Sequence, residues 1–194
     1  MTTHRKSLSV LAVAILIAGC TTFSKDGGFG EVSQIAKERL DKQVLWQRTD
    51  EDTARAADDV KRLLAKELSA DDAVQIALFN NPGLQASYAE LGIAEADLVQ
   101  AGRIGNPRFA YLRTTHGDER KIEWSLTFPI IDLLTIPLRT NIADRQLATT
   151  KLDAGRRVLD LAAETRRAYL EAGAAHQSAR YAEPVEEAAH AGAE

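Results

Sequence analysis

The stretch RFAYLRTTHGDERKIEWSLTF, residues 108–128, decides the fold, because its period of two interrupts a chain that otherwise reads as helix. Within 108–113, Phe109 and Tyr111 fall on one face of an extended backbone, and Arg108, Ala110 and Leu112 fall on the other. From 121 to 128 the alternation is cleaner: Ile122, Trp124, Leu126 and Phe128 alternate with Glu123, Ser125 and Thr127. Between the two runs, 114–119 hold the polar cluster His116-Gly117-Asp118. Two alternating runs joined by a polar loop predict a β-hairpin within 107–130. Its aromatic face suits a core or lipid, and its other face suits water. A transmembrane strand needs roughly 9–11 residues, which the second run reaches if it extends to Ile130.

Helical signals precede the hairpin. Val32, Ile35, Ala36 and Leu40 have amphipathic spacing, and Val60, Leu63 and Leu64 predict a second helix over 52–67. Ser69-Ala70-Asp71-Asp72 resembles a capping box with Asp in place of Glu, opening a helix that carries Ala73, Ile76 and Ala77. Asp71 and Asp72 are read as favouring the positive end of that helix dipole, not as a catalytic pair. Asn80-Asn81-Pro82 ends this helix and starts the next, with Asn81 as N-cap and Pro82 in the first turn. Leu84, Leu91 and Leu98 then recur every seven residues, with Tyr88 and Glu95 between them, up to about Gly102.

Beyond the hairpin, Pro129 and Pro137 bracket 130–136, an apolar stretch expected to be irregular. A long helix is expected over 138–180, with Leu138, Ile142, Leu152, Leu159 and Leu170 on or near one stripe and Leu147, Val158, Leu161 and Tyr169 widening it. Arg145, Arg156 and Arg166 also fall on the seam, which suits a helix with neighbours on two sides. Roughly 40 residues at about 1.5 Å each make ~60 Å, so such a helix needs lateral association. The tail, 181–194, carries no apolar periodicity.

The N-terminus reads as an export signal. His4, Arg5 and Lys6 precede an apolar run over 8–18, too short for the roughly 20 residues of a spanning helix. Ile17-Ala18-Gly19-Cys20 closes it, in the pattern of the bacterial lipobox. Residues 1–19 are therefore read as a lipoprotein signal peptide, with Cys20 as the acylated first residue and 20–30 as a flexible tether. Several acyl chains are needed for a stable anchor, since one binds only marginally. The alternative is an ordinary signal peptide with a chance cysteine. Thr21, in place of the Asp that favours inner-membrane retention, leans towards the outer membrane.

Composition narrows the class. The 194 residues less these 19 leave 175, and loss of Arg5 and Lys6 moves the formal charge from −4 to −6. So acidic a chain offers no basic field for nucleic acid. Cys20 is the only cysteine, which excludes disulfides and any thiol nucleophile or Cys metal site elsewhere. His116, His176 and His190 are isolated, and no phosphate loop or nucleophile motif stands out. The expectation is no enzyme, no cofactor and no metal site.

The segments LSADDAVQIAL (68–78) with NNPGL (80–84), AEADLVQAG (94–102), Asn106-Pro107 and LLTIPLR (133–139) together resemble the TolC family of outer-membrane efflux proteins, over roughly 30–180. The last segment resembles the heavy-metal or cation efflux branch. The resemblance implies a mainly α fold with one β-hairpin: long coiled-coil-like helices plus two membrane strands, half of an α-barrel/β-barrel protomer. In that family three protomers close a twelve-stranded barrel in the outer membrane and an α-helical barrel in the periplasm. The implied partners are copies of the chain in a trimer, a periplasmic adaptor, an inner-membrane pump of the RND class, and outer-membrane lipid. The implied role is a passive export duct with no catalytic residue. Phe109, Tyr111, Ile122, Trp124, Leu126 and Phe128 become the candidate lipid-facing residues. Only one helix–strand–strand–helix unit is present where the family has two, so the chain is expected to be truncated. The competing class is a periplasmic helical lipoprotein, a scaffold or interaction module, which would bury those six residues against its own helices.

Overall fold

The computed structural model describes residues 23–192, the side chain of Glu187 apart, so Cys20 and the lipobox residues Ile17, Ala18 and Gly19 lie outside the described residues. The fold is mainly helical, with one antiparallel two-stranded sheet. In order come α1 (Phe29–Leu40), α2 (Asp50–Leu64), α3 (Ala70–Asn80), α4 (Pro82–Ala101), β1 (Arg108–His116), β2 (Glu119–Thr127) and α5 (Ile130–Ala191). The chain divides into two compact units. One takes Met1–Gly27, described from Phe23 on, with Gly92–Thr149; the other takes Gly28–Leu91 with Thr150–Glu194.

In the second unit the helix starts are fixed locally. Thr49 caps α2 by accepting from the Asp52 N–H. Ser69 Oγ accepts from the Asp72 N–H at 3.1 Å while the Asp72 carboxylate accepts from the Ser69 N–H, a complete capping box. Asn81 Oδ1 accepts from the Leu84 N–H at 3.0 Å, so Asn81 caps α4 and Pro82 is its first residue, where no N–H is needed.

The core of this unit gathers Val32 and Ala36 of α1, Val74 and Leu78 of α3, Leu84, Tyr88 and Leu91 of α4, and Ala154, Val158 and Ala162 of α5. Each large apolar side chain buried there contributes roughly 1.5–3 kcal/mol. Lys151 pairs with Glu31 at 2.6 Å and Gly155 lies under Ile35, so α5 runs parallel to α1. Arg157 faces Glu90, Arg166 pairs with Asp71 at 3.1 Å, and Tyr169 Oη donates to the Leu68 carbonyl at 2.7 Å, so α5 runs antiparallel to α3 and α4. Asp71 is thus an ion-pair partner and Asp72 a cap.

Between α1 and α2 the residues 42–48 form neither helix nor strand, and two glutamine amides hold their backbone. Gln75 accepts from the Gln43 N–H and donates to the Gln43 carbonyl. Gln85 accepts from the Gln47 N–H and donates to the Leu45 carbonyl. Its side chains then alternate between two clusters: Val44 and Trp46 join the main core, and Leu45 joins Ala56, Val60 and Phe79.

Four sequence expectations need correction. The stretch 130–136 is helical, and α5 continues through Pro137 and Pro184 to Ala191. One proline forfeits one helical hydrogen bond, and the cooperative helix on either side outweighs that loss. The tail stays helical because Ala and Glu favour helix without an apolar face. The α3 face differs too: Val74, Leu78 and Phe79 are buried, while Ala73, Ile76 and Ala77 are half-buried. On α5 the covered seam is Leu147, Ala154, Val158 and Ala162, whereas Leu138, Ile142, Leu152 and Leu170 stand exposed on the opposite face. At Gly155 the approach of α1 is close, with the Ile35 side chain where a Cβ would sit. Finally, α2 spans Asp50–Leu64 and leaves Leu64 exposed.

Candidate membrane-facing hairpin

The hairpin lies within the first unit. Its strands are nine residues each, and the turn is tighter than the expected loop over 114–119: His116 pairs directly with Glu119 across Gly117-Asp118. Gly117 has φ +59° and Asp118 does not have positive φ, the pattern of a type II′ turn. Glycine is required there, because an L side chain at that φ would be strained. The turn's twist matches that of the strands, which lets Thr114–Thr115 pair with Arg120–Lys121 instead of looping out.

The register places Phe109 opposite Leu126, Tyr111 opposite Trp124, and Arg113 opposite Ile122. Directly paired residues share a face, so Phe109, Tyr111, Ile122, Trp124 and Leu126 form one apolar surface. Phe128, just past β2, has the same parity. The other face carries Arg108, Ala110, Leu112 and Thr114 opposite Thr127, Ser125, Glu123 and Lys121. Every residue of both strands is exposed, with Phe109 at 66% and Trp124 at 74%. The structure brings the six candidate residues together and leaves them exposed among the described residues.

The base of the hairpin is tied to the helix that follows. The Arg139 guanidinium donates to the carbonyls of Arg103 at 3.4 Å and Asp132 at 3.3 Å. Gly105 lies so near the Asp132 carboxylate and the Pro129 ring that a Cβ there would clash with both. Ser24 N–H donates to the Glu95 carboxylate at 2.6 Å, placing this segment against α4.

The hairpin's apolar surface continues into residues not foreseen as part of it. Ile130, Ile131, Leu133 and Leu134 are each at least half exposed on the first turns of α5. The spacing of Ile131, Leu134 and Leu138 could have signalled helix, had the two prolines not been read as brackets.

Among the described residues no three His, Cys, Asp or Glu side chains converge as metal ligands, and no helix is long and apolar enough to cross a membrane. His116 faces Glu119 across the turn, and His190 lies 3.9 Å from Glu186. Burial raises the Tyr88 hydroxyl well above its ordinary value. Comparison with protein-family models, with curated proteins and with solved structures finds no match.

Proposed function

We propose that this chain supplies one helix–strand–strand–helix unit of an outer-membrane efflux channel, a lipid-anchored passive duct that works with an inner-membrane pump and a periplasmic adaptor. The observation that carries the reading is the hairpin: two nine-residue antiparallel strands with an aromatic face that stands exposed among the described residues. Water-exposed aromatic surface of this kind is unfavourable, and lipid relieves it. A nine-residue strand is about the length a tilted membrane strand needs. The alternating faces match the lipid-out, water-in pattern of a barrel wall. The scaffold reading requires the same face to pack on the chain's own helices, and its exposure weighs against that.

Cys20 would hold the tether at the membrane surface while the hairpin inserts. The exposed leucine face of α5 suits neighbouring copies in a helical barrel, the family's trimer. The resemblance at 133–139 extends the proposal to heavy metals or other cations as cargo.

Protease treatment of intact outer membranes tests the reading. Chymotryptic sites at Phe109, Tyr111 and Trp124 should be protected relative to exposed Leu64 at the end of α2. Equal cleavage at both sets, with the chain still in the membrane fraction, would overturn the membrane hairpin.

A further inference from the structure

The apolar face of the hairpin is zoned along its length. Phe109, Tyr111, Trp124 and Leu126 occupy the end near the helices, while Arg113 and Arg120 occupy the turn end of the same face. Arg113 pairs with Ile122 and Thr115 with Arg120, so the two arginines are diagonal neighbours on adjacent strands. Such neighbours lie about 7–8 Å apart at the backbone, close enough for both guanidinium groups to reach one ligand. Both are exposed, and neither guanidinium group makes an ion pair or hydrogen bond among the described residues. The opposite face differs: Lys121 is ion-paired with Glu123, and His116 stands across from Glu119, with Arg108 at the far end. No carboxylate shares the aromatic face of the paired strands.

We infer that Arg113 and Arg120 form a clamp for the phosphate of an anionic lipid headgroup, at the outer edge of the hairpin's lipid-facing surface. The inference rests on the membrane reading of the hairpin given above. From Phe128 to Ile122 the apolar stripe spans six residue steps, about 20 Å at roughly 3.3 Å each, and tilt shortens it further. Exposed Ile130, Ile131, Leu133 and Leu134 extend it at the helix end towards the ~25 Å apolar band of a barrel wall, so the next residues towards the turn lie near headgroup depth. Two unpaired cations there, with aromatic rings beneath them, match a lipid that presents phosphate above acyl chains. Arginine suits the role better than lysine, because its planar fork binds two phosphate oxygens at once. Glutamate or aspartate at either position would repel the same ligand.

The test uses the full chain reconstituted in phosphatidylcholine vesicles containing a fixed fraction of brominated phosphatidylcholine or brominated phosphatidylglycerol. Quenching by bromine reports lipid next to a tryptophan. Subtracting the Trp124→Phe variant isolates the Trp124 signal from Trp46, and Trp124 is exposed enough for that change to leave the fold intact. The expected result is stronger quenching by the brominated anionic lipid, a relative association constant raised about 5-fold per arginine. In R113Q/R120Q the preference should vanish while quenching by the neutral lipid persists. R113K/R120K should retain only part of it.

Equal quenching by the two lipids in the wild-type chain would overturn the clamp and leave the membrane hairpin standing. No quenching of Trp124 by either lipid would overturn both. Loss of the preference on adding millimolar inorganic phosphate, but not chloride at equal ionic strength, would overturn the assignment to a lipid headgroup in favour of free phosphate.

Discussion

At the scale of single residues, caps and one buried hydroxyl give the sharpest expectations. Asn81 Oδ1 holds the Leu84 N–H at the start of α4, so Asn81→Ala should cost about 1 kcal/mol in urea unfolding. Asp72 is held below the usual carboxylate range, first by its hydrogen bond to Ser69 and then by Lys66. A carboxyl depressed in the folded state stabilises above its unfolded value, 3.8, and loses that contribution as pH falls through the lower folded value. Thermal unfolding followed from pH 5 down to pH 2 should therefore show an acid-limb loss that is smaller in Ser69→Ala. Tyr88 is fully buried, with its ring edge-on to Phe29 at 4.9 Å, and its hydroxyl meets no protein donor or acceptor among the described residues. Tyr88→Phe should then leave stability unchanged or raise it by about 1 kcal/mol, while Tyr88→Ala should lose roughly 3–5 kcal/mol. A denaturant midpoint that holds or rises in the first variant and falls in the second would check this.

At the scale of elements, the starts of α3 and α4 were legible in the sequence, whereas the start of α5 and the helix faces were not. Ser69, Asn81 and Pro82 act within one turn, so their roles follow from local hydrogen bonding alone. The inward face of α5 depends on what packs against it. Its large leucines mark one stripe in the sequence, but on the side packed against α1 Gly155 sits where a Cβ would come within 2.7 Å of the Ile35 terminal methyl. Ala154, Val158 and Ala162 line the buried seam. Gly155→Ala should change stability little, since the Ile35 methyl can rotate and the helix gains about 1 kcal/mol of propensity. Gly155→Leu should destabilise by about 1–3 kcal/mol through overpacking, as measured by chemical denaturation. The hairpin shows the converse. Its two alternating runs were readable because side-chain parity is fixed by backbone geometry. Extension of both strands to a two-residue turn depended on the positive φ of Gly117, which the cluster His116-Gly117-Asp118 only suggested.

At the scale of the whole molecule, the described residues supply one hairpin, and a lipid-embedded sheet must close on itself. Three copies give six strands, fewer than the roughly eight of the smallest membrane barrels. The purified chain alone should therefore give no stable open channels in planar bilayers, and steady single-channel currents would contradict the expectation. The sequence by itself determined the helix caps, the period change at 108–128 and the parity that gathers Phe109, Tyr111, Ile122, Trp124, Leu126 and Phe128, all consequences of interactions spanning a few residues. Only the tertiary structure decided that the aromatic face is left uncovered, that 42–48 is clamped by Gln75 and Gln85, and that α5 buries small residues while exposing Leu138, Ile142, Leu152 and Leu170. Those outcomes depend on contacts between residues tens of positions apart, where available space and competing partners choose among faces that sequence periodicity leaves equivalent.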